Sequence, residues 1–382
     1  MNINTVQKRE CIGCHVCKSV CKFNAITMQK DDAGFLYPAI DEKQCINCGA
    51  CTNHCPVLKK DTHQNIISAY YGYAKDKNIV KKSSSGGAFT AIAQAVLKEN
   101  GIVYGAVFDK TSGKVIYMST EETELEQIRR SKYVECRVND SFIKIKEQLN
   151  AGKKCLFCGT PCHVAALKGF LDKEYDNLLT CDFICGGVPS AQFFEEHLLY
   201  LENKYKSKVK SVNFRPKLYG WKEHSFMVEF ENGRVYKNYA YLDTYFRGFI
   251  SEGVLIRDSC YSCQFRNNHY SDFILADFWG YKQVPQIKEN DTGISLITVN
   301  SDKGAEFVNN FEEYMNIYEI PISYTDYNFK TKGRTCIEKK QSFLDAYKKN
   351  GFEKSAKQQY MTGCVKFRIR KCLKRILKRE TL

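Results

Sequence analysis

Two cysteine runs constrain this chain more than any other stretch. Cys11-x2-Cys14-x2-Cys17-x3-Cys21 and Cys45-x2-Cys48-x2-Cys51-x3-Cys55-Pro56 share one spacing, each position of the second lying 34 residues after its counterpart in the first. Two x2 gaps let one tight loop aim three thiolates at a cube, so the repeat predicts two 4Fe-4S sites. In two-cluster ferredoxins the fourth cysteine of each run ligates the other cluster. Cys11, Cys14, Cys17 and Cys55 are therefore expected to hold one, and Cys45, Cys48, Cys51 and Cys21 the other. Structural zinc also uses paired C-x2-C motifs, but zinc sites pair four ligands and rarely repeat a four-cysteine run. His15 and His54 sit inside the runs with every ligand place already filled by cysteine, which leaves them to tune hydrogen bonding. Lys22 stands where the second run has Pro56. Ala25 to Met28 and Phe35 to Pro38 flank Asp31-Asp32-Ala33-Gly34, a hairpin pattern beside the clusters.

With 382 residues, 43% of them hydrophobic, the chain has room for a small metal-nucleated module and a larger body. Its nineteen cysteines read as metal ligands and redox groups. Met1 to Glu10 has no apolar h-region that would place them in a disulfide framework. No run approaches membrane-spanning length, so a cytoplasmic protein is expected. The net charge of +14 is unevenly placed. Lys366, Arg368, Arg370, Lys371, Lys374, Arg375, Lys378 and Arg379 face only Glu380, eight minus one, which is +7 or half the total. Val365, Ile369, Cys372, Leu373 and Ile376 recur at helical spacing among them. That pattern fits a basic amphipathic helix at the inner face of an anionic membrane or on a partner; it equally fits a terminal helix packed on the body. A body this mildly basic, with little aromatic interleaving in the tail, does not read as a nucleic-acid binder.

The body alternates strand and helix patterns. Ile67 to Ala74 reads as a strand, and Ser83-Ser84-Ser85-Gly86-Gly87 opens a helix over Ala88 to Asn100. Such a loop offers hydroxyls and backbone N–H groups to a cofactor phosphate, or serves as an ordinary N-cap. Strands are expected at Ile102 to Phe108 and Val115 to Met118, with a helix over Glu121 to Arg130. Lys132, just beyond, is a candidate phosphate contact, or simply a surface cation. Cys155 to Gly159, a helix opening at Thr160-Pro161-Cys162 and running through Val164 to Leu171, and Leu178 to Ile184 form a βαβ unit. Its carboxyl-end loops should make Cys162 and Cys185 neighbours. Pro189 to Tyr205 and Leu242 to Ile250 read as helices, and Val209 to Phe214 and Phe226 to Phe230 as strands. Cys260-x2-Cys263 follows in a loop. Cys162, Cys185, Cys260 and Cys263 are candidates for a third 4Fe-4S site, with Cys155, Cys158 and Cys181 as spare thiols; buried, inert cysteines are the alternative. His163 is a candidate proton donor or a hydrogen-bonding neighbour, and Asp272 and Asp277 cap or orient the cysteine loop. No catalytic acid or base is assignable.

SSSGGAFTAIAQAVL (83–97), SKYV (131–134), GTPCHVAALKG (159–169), CDFICGGVPS (181–190) and CYSCQFRNNHYSDFILADFWG (260–280) occur in that order. Together, behind the two-cluster repeat, they resemble the beta-subunit family of coenzyme F420 hydrogenases and dehydrogenases over about residues 11 to 300. The resemblance implies FAD on an α/β body, with Ser84, Ser85, Gly86, Gly87 and Lys132 as contacts and Gly159 and Thr160 in a shared flavin and cluster neighbourhood. It implies electron exchange between 4Fe-4S clusters and a two-electron substrate, coenzyme F420 or another small molecule. Related bacterial members accompany surface-polysaccharide genes. The alternative is a non-enzymatic electron-transfer subunit docking a separate catalytic partner. A redox partner protein or reduced ferredoxin is expected in either case.

The expected class is α+β. A ferredoxin-like domain (1–60) precedes an α/β flavin-binding body in two parts (61–150 and 151–320), and a helical extension with the basic tail follows (321–382).

Overall fold

The computed structural model describes residues 1–59, 65–287, 291–329 and 337–361. The basic amphipathic helix expected over 364 to 382 lies outside the described residues.

The 34-residue repeat is also a backbone repeat. Gly13 and Asn47 both have positive φ, as do His15 and Gly49, and each pair is 34 positions apart. His15 and Gly49 each start a one-turn helix, Val16–Ser19 and Ala50–Asn53, carrying the third cysteine of its run. The expected hairpin is present as β1 (Ile26–Lys30) and β2 (Leu36–Ile40), antiparallel. Asp31 closes it by accepting the N–H groups of Ala33 and Phe35.

The body strands are β3 (Ser68–Ala74), β4 (Ile102–Asp109), β5 (Lys114–Ser119), β6 (Cys136–Arg137), β7 (Cys155–Cys158) and β8 (Leu178–Phe183). They continue through β9 (Val209–Asn213), β10 (Ser225–Phe230), β11 (Val235–Tyr239), β12 (Phe273–Asp277), β13 (Ser295–Val299) and β14 (Met315–Ile320). Nine form one sheet, in the order β14-β3-β13-β12-β8-β7-β4-β5-β6. Its centre, β12-β8-β7-β4, is parallel, and antiparallel pairs flank it. Side chains alternate between the faces, as the pleat requires. Ile102, Tyr104, Cys155 and Phe157 join one core cluster with residues of helices Ser141–Asn150 and Pro161–Leu171. Val103 and Leu156 join another with Ala88–Lys98 and Asp302–Glu312. Helices on both faces make the architecture mixed α/β. The divide expected at 150 falls within this sheet, because β4 pairs with β7.

Two helix expectations need correction. Glu121 to Arg130 holds only one turn, Leu125–Ile128, because Glu122 turns back to accept from the N–H and Oγ of Ser119. The helix expected from Pro189 starts at Ala191, capped by Ser190, while Pro189 bridges to Ile256. The helices Ser141–Asn150 and Asp302–Glu312 were not expected from the sequence.

A second sheet, β11-β10-β9, packs with the helices Ala191–Tyr205, Ile337–Asn350 and Phe352–Tyr360. Phe343, Phe352, Ala356 and Tyr360 are buried there, so these late helices are built into the body's core. A polar knot fixes them. His197, fully buried, has Nδ1 at 2.5 Å from Glu353 Oε1 and Nε2 at 3.0 Å from Asp243 Oδ2. Burial opposes charge on His197, but Asp243 and Glu353 outweigh it and raise its pKa to about 10. The unfolded chain binds this proton less tightly, so the stabilisation is complete below about pH 6.5 and is lost as pH rises through about 10. In anaerobic denaturant titrations the wild-type chain should lose stability across that window. An H197Q chain should be less stable throughout and lack that part of the slope, and an unchanged slope would refute the assignment.

Candidate functional site

The N-terminal cysteines crowd together in two neighbourhoods. Burial pushes the Cys14 thiol well above its usual pKa, and the nearby thiols of Cys17, Cys55 and Cys11 push it further. Burial likewise raises Cys17 to about 12, with Cys11 and Cys55 adding to it. Cys21, Cys45, Cys48 and Cys51 line a separate hollow with Met1, Phe23 and Ile46. Buried thiols that would repel one another as anions ionise only when a cation takes the place of their protons, which is the chemistry a cluster supplies. Among the described residues no three His, Cys, Asp or Glu side chains converge as a single ion requires. A cube spreads its thiolates wider, because each sulfur meets a different iron.

The structure also brings Cys162, Cys185, Cys260 and Cys263 together. Burial raises Cys162 well above its usual pKa, and Cys263, Cys185 and Cys260 add to it. Burial pushes Cys185 up to about 12, with contributions from Cys260 and Cys263. Donors already point at the sulfurs. Gly187 N–H lies 3.5 Å from Cys185 Sγ and Val188 N–H 3.4 Å from Cys260 Sγ, with Thr160 Oγ1 3.1 Å from Cys162 Sγ. Such donors suit anionic sulfur. Cys155 and Cys181 are instead strand residues with no exposed surface.

Beside this set, at the carboxyl ends of β7, β8 and β12, lies a cavity of about 390 Å³. One wall is the loop Ser83–Ser85 with the first turn of the helix Ala88–Lys98; another is Gly159, Thr160, His163 and Cys185. Arg129, Arg130 and Arg215 give the lining a positive balance, since Asp277 is its one carboxylate and pairs with Arg215. Ser83 Oγ is buried with no protein partner. A helix N-terminus, an orphan hydroxyl and surplus guanidinium charge are what the anionic part of a nucleotide cofactor needs.

The expected contacts differ in what they have free. Ser84, Ser85, Gly87, Lys132, Gly159 and Thr160 line the cavity. Ser84 Oγ accepts from Ser131 N–H and Ser85 Oγ donates to Ile294 O, so both anchor the loop. Gly86 is packed: its N–H donates to Ser295 Oγ, and a Cβ there would fall 2.5 Å from Gly72 O and 2.7 Å from Ser295 N. Lys132 Nζ donates to the carbonyls of Gln127, Ile128 and Arg129, capping the one-turn helix, and burial pulls its pKa down to about 7. Arg129 and Arg130 were missed, hidden by the expectation of a regular surface helix. His163 Nδ1 lies 3.0 Å from Tyr117 Oη, and burial lowers its pKa to about 3, which keeps the ring neutral. Asp272 binds Thr180 and Ser301, and Asp277 binds Arg215 and Trp221. They tie strands and cavity wall together, a different role from capping the cysteine loop.

Residues 152–324 match the family model for the C-terminal part of the coenzyme F420 hydrogenase/dehydrogenase beta subunit, and residues 69–142 match the model for its N-terminal part. Two models of a 4Fe-4S dicluster domain match residues 10–58 and 37–95. An uncharacterised ferredoxin of Methanocaldococcus jannaschii is 35% identical over 77 residues, 20% of this chain and 92% of that protein. An uncharacterised protein of the same organism is 26% identical over 199 residues, 44% of this chain; the chain spans about half, 54%, of its length. Among solved structures, a chain of the F420-reducing NiFe hydrogenase complex from Methanosarcina barkeri aligns with a TM-score of 0.48 at 16% identity. That alignment covers 76% of this chain and 95% of that one.

Because Gly86 is boxed in by backbone atoms, G86A should destabilise the chain by about 1–3 kcal/mol, read as a lower denaturation midpoint. An unchanged midpoint would show that the loop has slack.

Proposed function

Since the chain belongs to the coenzyme F420 hydrogenase/dehydrogenase beta-subunit family, with a 4Fe-4S dicluster domain at its N-terminal end, we propose that it is an iron-sulfur flavoprotein oxidoreductase. It would pass electrons between a protein redox partner and a two-electron acceptor such as a deazaflavin. The observation that carries this reading is the cavity's position. It shares Cys185 and the Gly159–Thr160 loop with the third cysteine set, and the rest of its lining is cationic, includes a helix N-terminus and holds the unpartnered Ser83 hydroxyl.

Cys11, Cys14, Cys17 and Cys55 would hold one cluster, Cys21, Cys45, Cys48 and Cys51 a second, and Cys162, Cys185, Cys260 and Cys263 a third. Bound there, clusters supply one-electron steps and FAD the exchange between one- and two-electron chemistry. Ser83, Gly87, the helix N-terminus after it, Arg129 and Arg130 would neutralise the cofactor's phosphates. Thr160 and the N–H groups of Gly187 and Val188 orient and stabilise anionic sulfur. Neutral His163, fixed by Tyr117, closes the cavity wall without adding charge.

Electrons would enter at the outer end. Cys48 is exposed, and Met1, Phe23 and Ile46 beside it are 74%, 45% and 62% exposed, an apolar face suited to a redox partner protein. Among the described residues no helix is long and apolar enough to cross a membrane.

Anaerobically reconstituted protein should contain about twelve irons and one FAD per chain. C185S should bring the iron to about eight and leave the N-terminal pair intact. Eight irons in the wild-type chain, or no flavin, would defeat the proposal. An R129A/R130A chain should keep its iron while its flavin affinity falls at least about tenfold, the loss of roughly 1.4 kcal/mol expected for two charge-assisted contacts.

A further inference from the structure

Arg257 is 1% exposed and is held from both sides of the seam between the N-terminal module and the body. On the module side, Nη1 lies 3.4 Å from Cys11 O, and Nη1 and Nη2 each donate to Leu36 O at 3.2 Å. The guanidinium stands 4.8 Å from the ring centroids of both Phe35 and Tyr37. A Cβ at Gly13 would fall 2.4 Å from Nη2, so the glycine between Cys11 and Cys14 is what admits the cation to that loop. On the body side, Nη2 pairs with Glu135 at 2.5 Å. The backbone of Arg257 donates to Val188 O and accepts from Cys260 N–H, both at 3.0 Å. One residue is thus tied to the loops of two cysteine sets, by its side chain to the first and by its backbone to the second. The cation sits in the first cysteine loop, three residues from Cys260 and hydrogen-bonded through its backbone to the Cys185–Val188 loop and to Cys260.

We propose that Arg257 is a shared electrostatic tuner, a buried cation that raises the reduction potentials of the Cys11 set and the Cys260 set together and leaves the outer, Cys48-containing set unaffected. The inference rests on reading both sets as cluster sites. A one-electron reduction adds one negative charge to a cube and its thiolates, and a fixed guanidinium in a water-poor seam stabilises that added charge. Glu135, paired with Nη2, opposes it, so the residual field is the difference between two buried charges. Lys340, which donates to Ile256 O and pairs with Asp258, adds a second cation beside the same loop but has its own carboxylate partner.

Two full-length variants, reconstituted anaerobically, decide the matter: R257Q and E135Q, titrated with dithionite and mediators while electron paramagnetic resonance follows each cluster signal. R257Q should cut the reduced-to-oxidised ratio of the two inner signals at least about tenfold at fixed potential, which is 59 mV for a one-electron couple. E135Q should shift the same signals the opposite way, and the outer signal should stay put. Loosened packing would not move the potentials in opposite directions. Unmoved inner potentials, or shifts of one sign in both variants at full iron content, overturn the proposal. If R257Q fails to retain iron, the upward shift in E135Q alone decides. A C185S chain that keeps all its iron sinks the body site and the shared role with it. A C185S chain that loses about a third of its iron, with unmoved potentials in the other two variants, sinks Arg257 alone.

Discussion

A guanidinium stripped of water must find a carboxylate and several carbonyls, and Arg257 finds them only where three pieces of chain coincide. Glu135 comes from just before β6, Leu36 O from the hairpin, and Cys11 O from the first cysteine loop. Withdrawing the module would leave the Glu135 pair in place but strip the buried guanidinium of its acceptors Leu36 O and Cys11 O, and donors left unsatisfied there cost about 1–3 kcal/mol, so the module does not drift from the body freely. The apolar seam follows the same line. Cys14 and Val16 share a core cluster with Val164 and Leu167 of the helix after β7. Gly169 of that helix lacks the Cβ that would fall 2.8 Å from His54 O.

The sheet does the rest of the positioning. Parallel strands put their carboxyl ends on one edge, and the loops leaving them there carry Gly159–Cys162 and Cys185–Val188. The loop that follows β12 on the same edge contributes Trp279, and β12 itself ends in Asp277, which fixes Arg215 and Trp221. Antiparallel β13 then brings Ser295 under Gly86, so the Ser/Gly loop is pinned to the same edge from the opposite direction. A cavity, a helix N-terminus and a thiol set become neighbours, with Cys260 and Cys263 supplied by the long connection between Ile250 and Phe273.

Local chemistry was legible in the sequence, and so was the βαβ unit. Regular spacing marked the cysteine runs, and carboxyl-end loops marked Cys162 and Cys185 as neighbours, because both signals depend only on short stretches of chain. What could not be read depended on distant partners. Lys132 looks like a free cation until the one-turn helix before it offers three carbonyls. Gly86 looks like a phosphate-loop glycine until β3 and β13 close around it. The extension expected to follow the body supplies the helices 337–350 and 352–360, yet they cover a core that includes Phe193, and His197 meets Glu353 across 156 residues.

The backbone repeat of the N-terminal module has a consequence for direction. Gly13 and Asn47, His15 and Gly49 give the two halves the same local loop, so their cysteines start from equal geometry. Folding then breaks the equality: Cys14 is buried in a core cluster shared with the body, whereas its counterpart Cys48 is exposed. Potentials of such centres follow solvent exposure and local hydrogen bonding as well as ligands. A duplicated unit, symmetric in its covalent pattern, thereby acquires a wet end and a dry end.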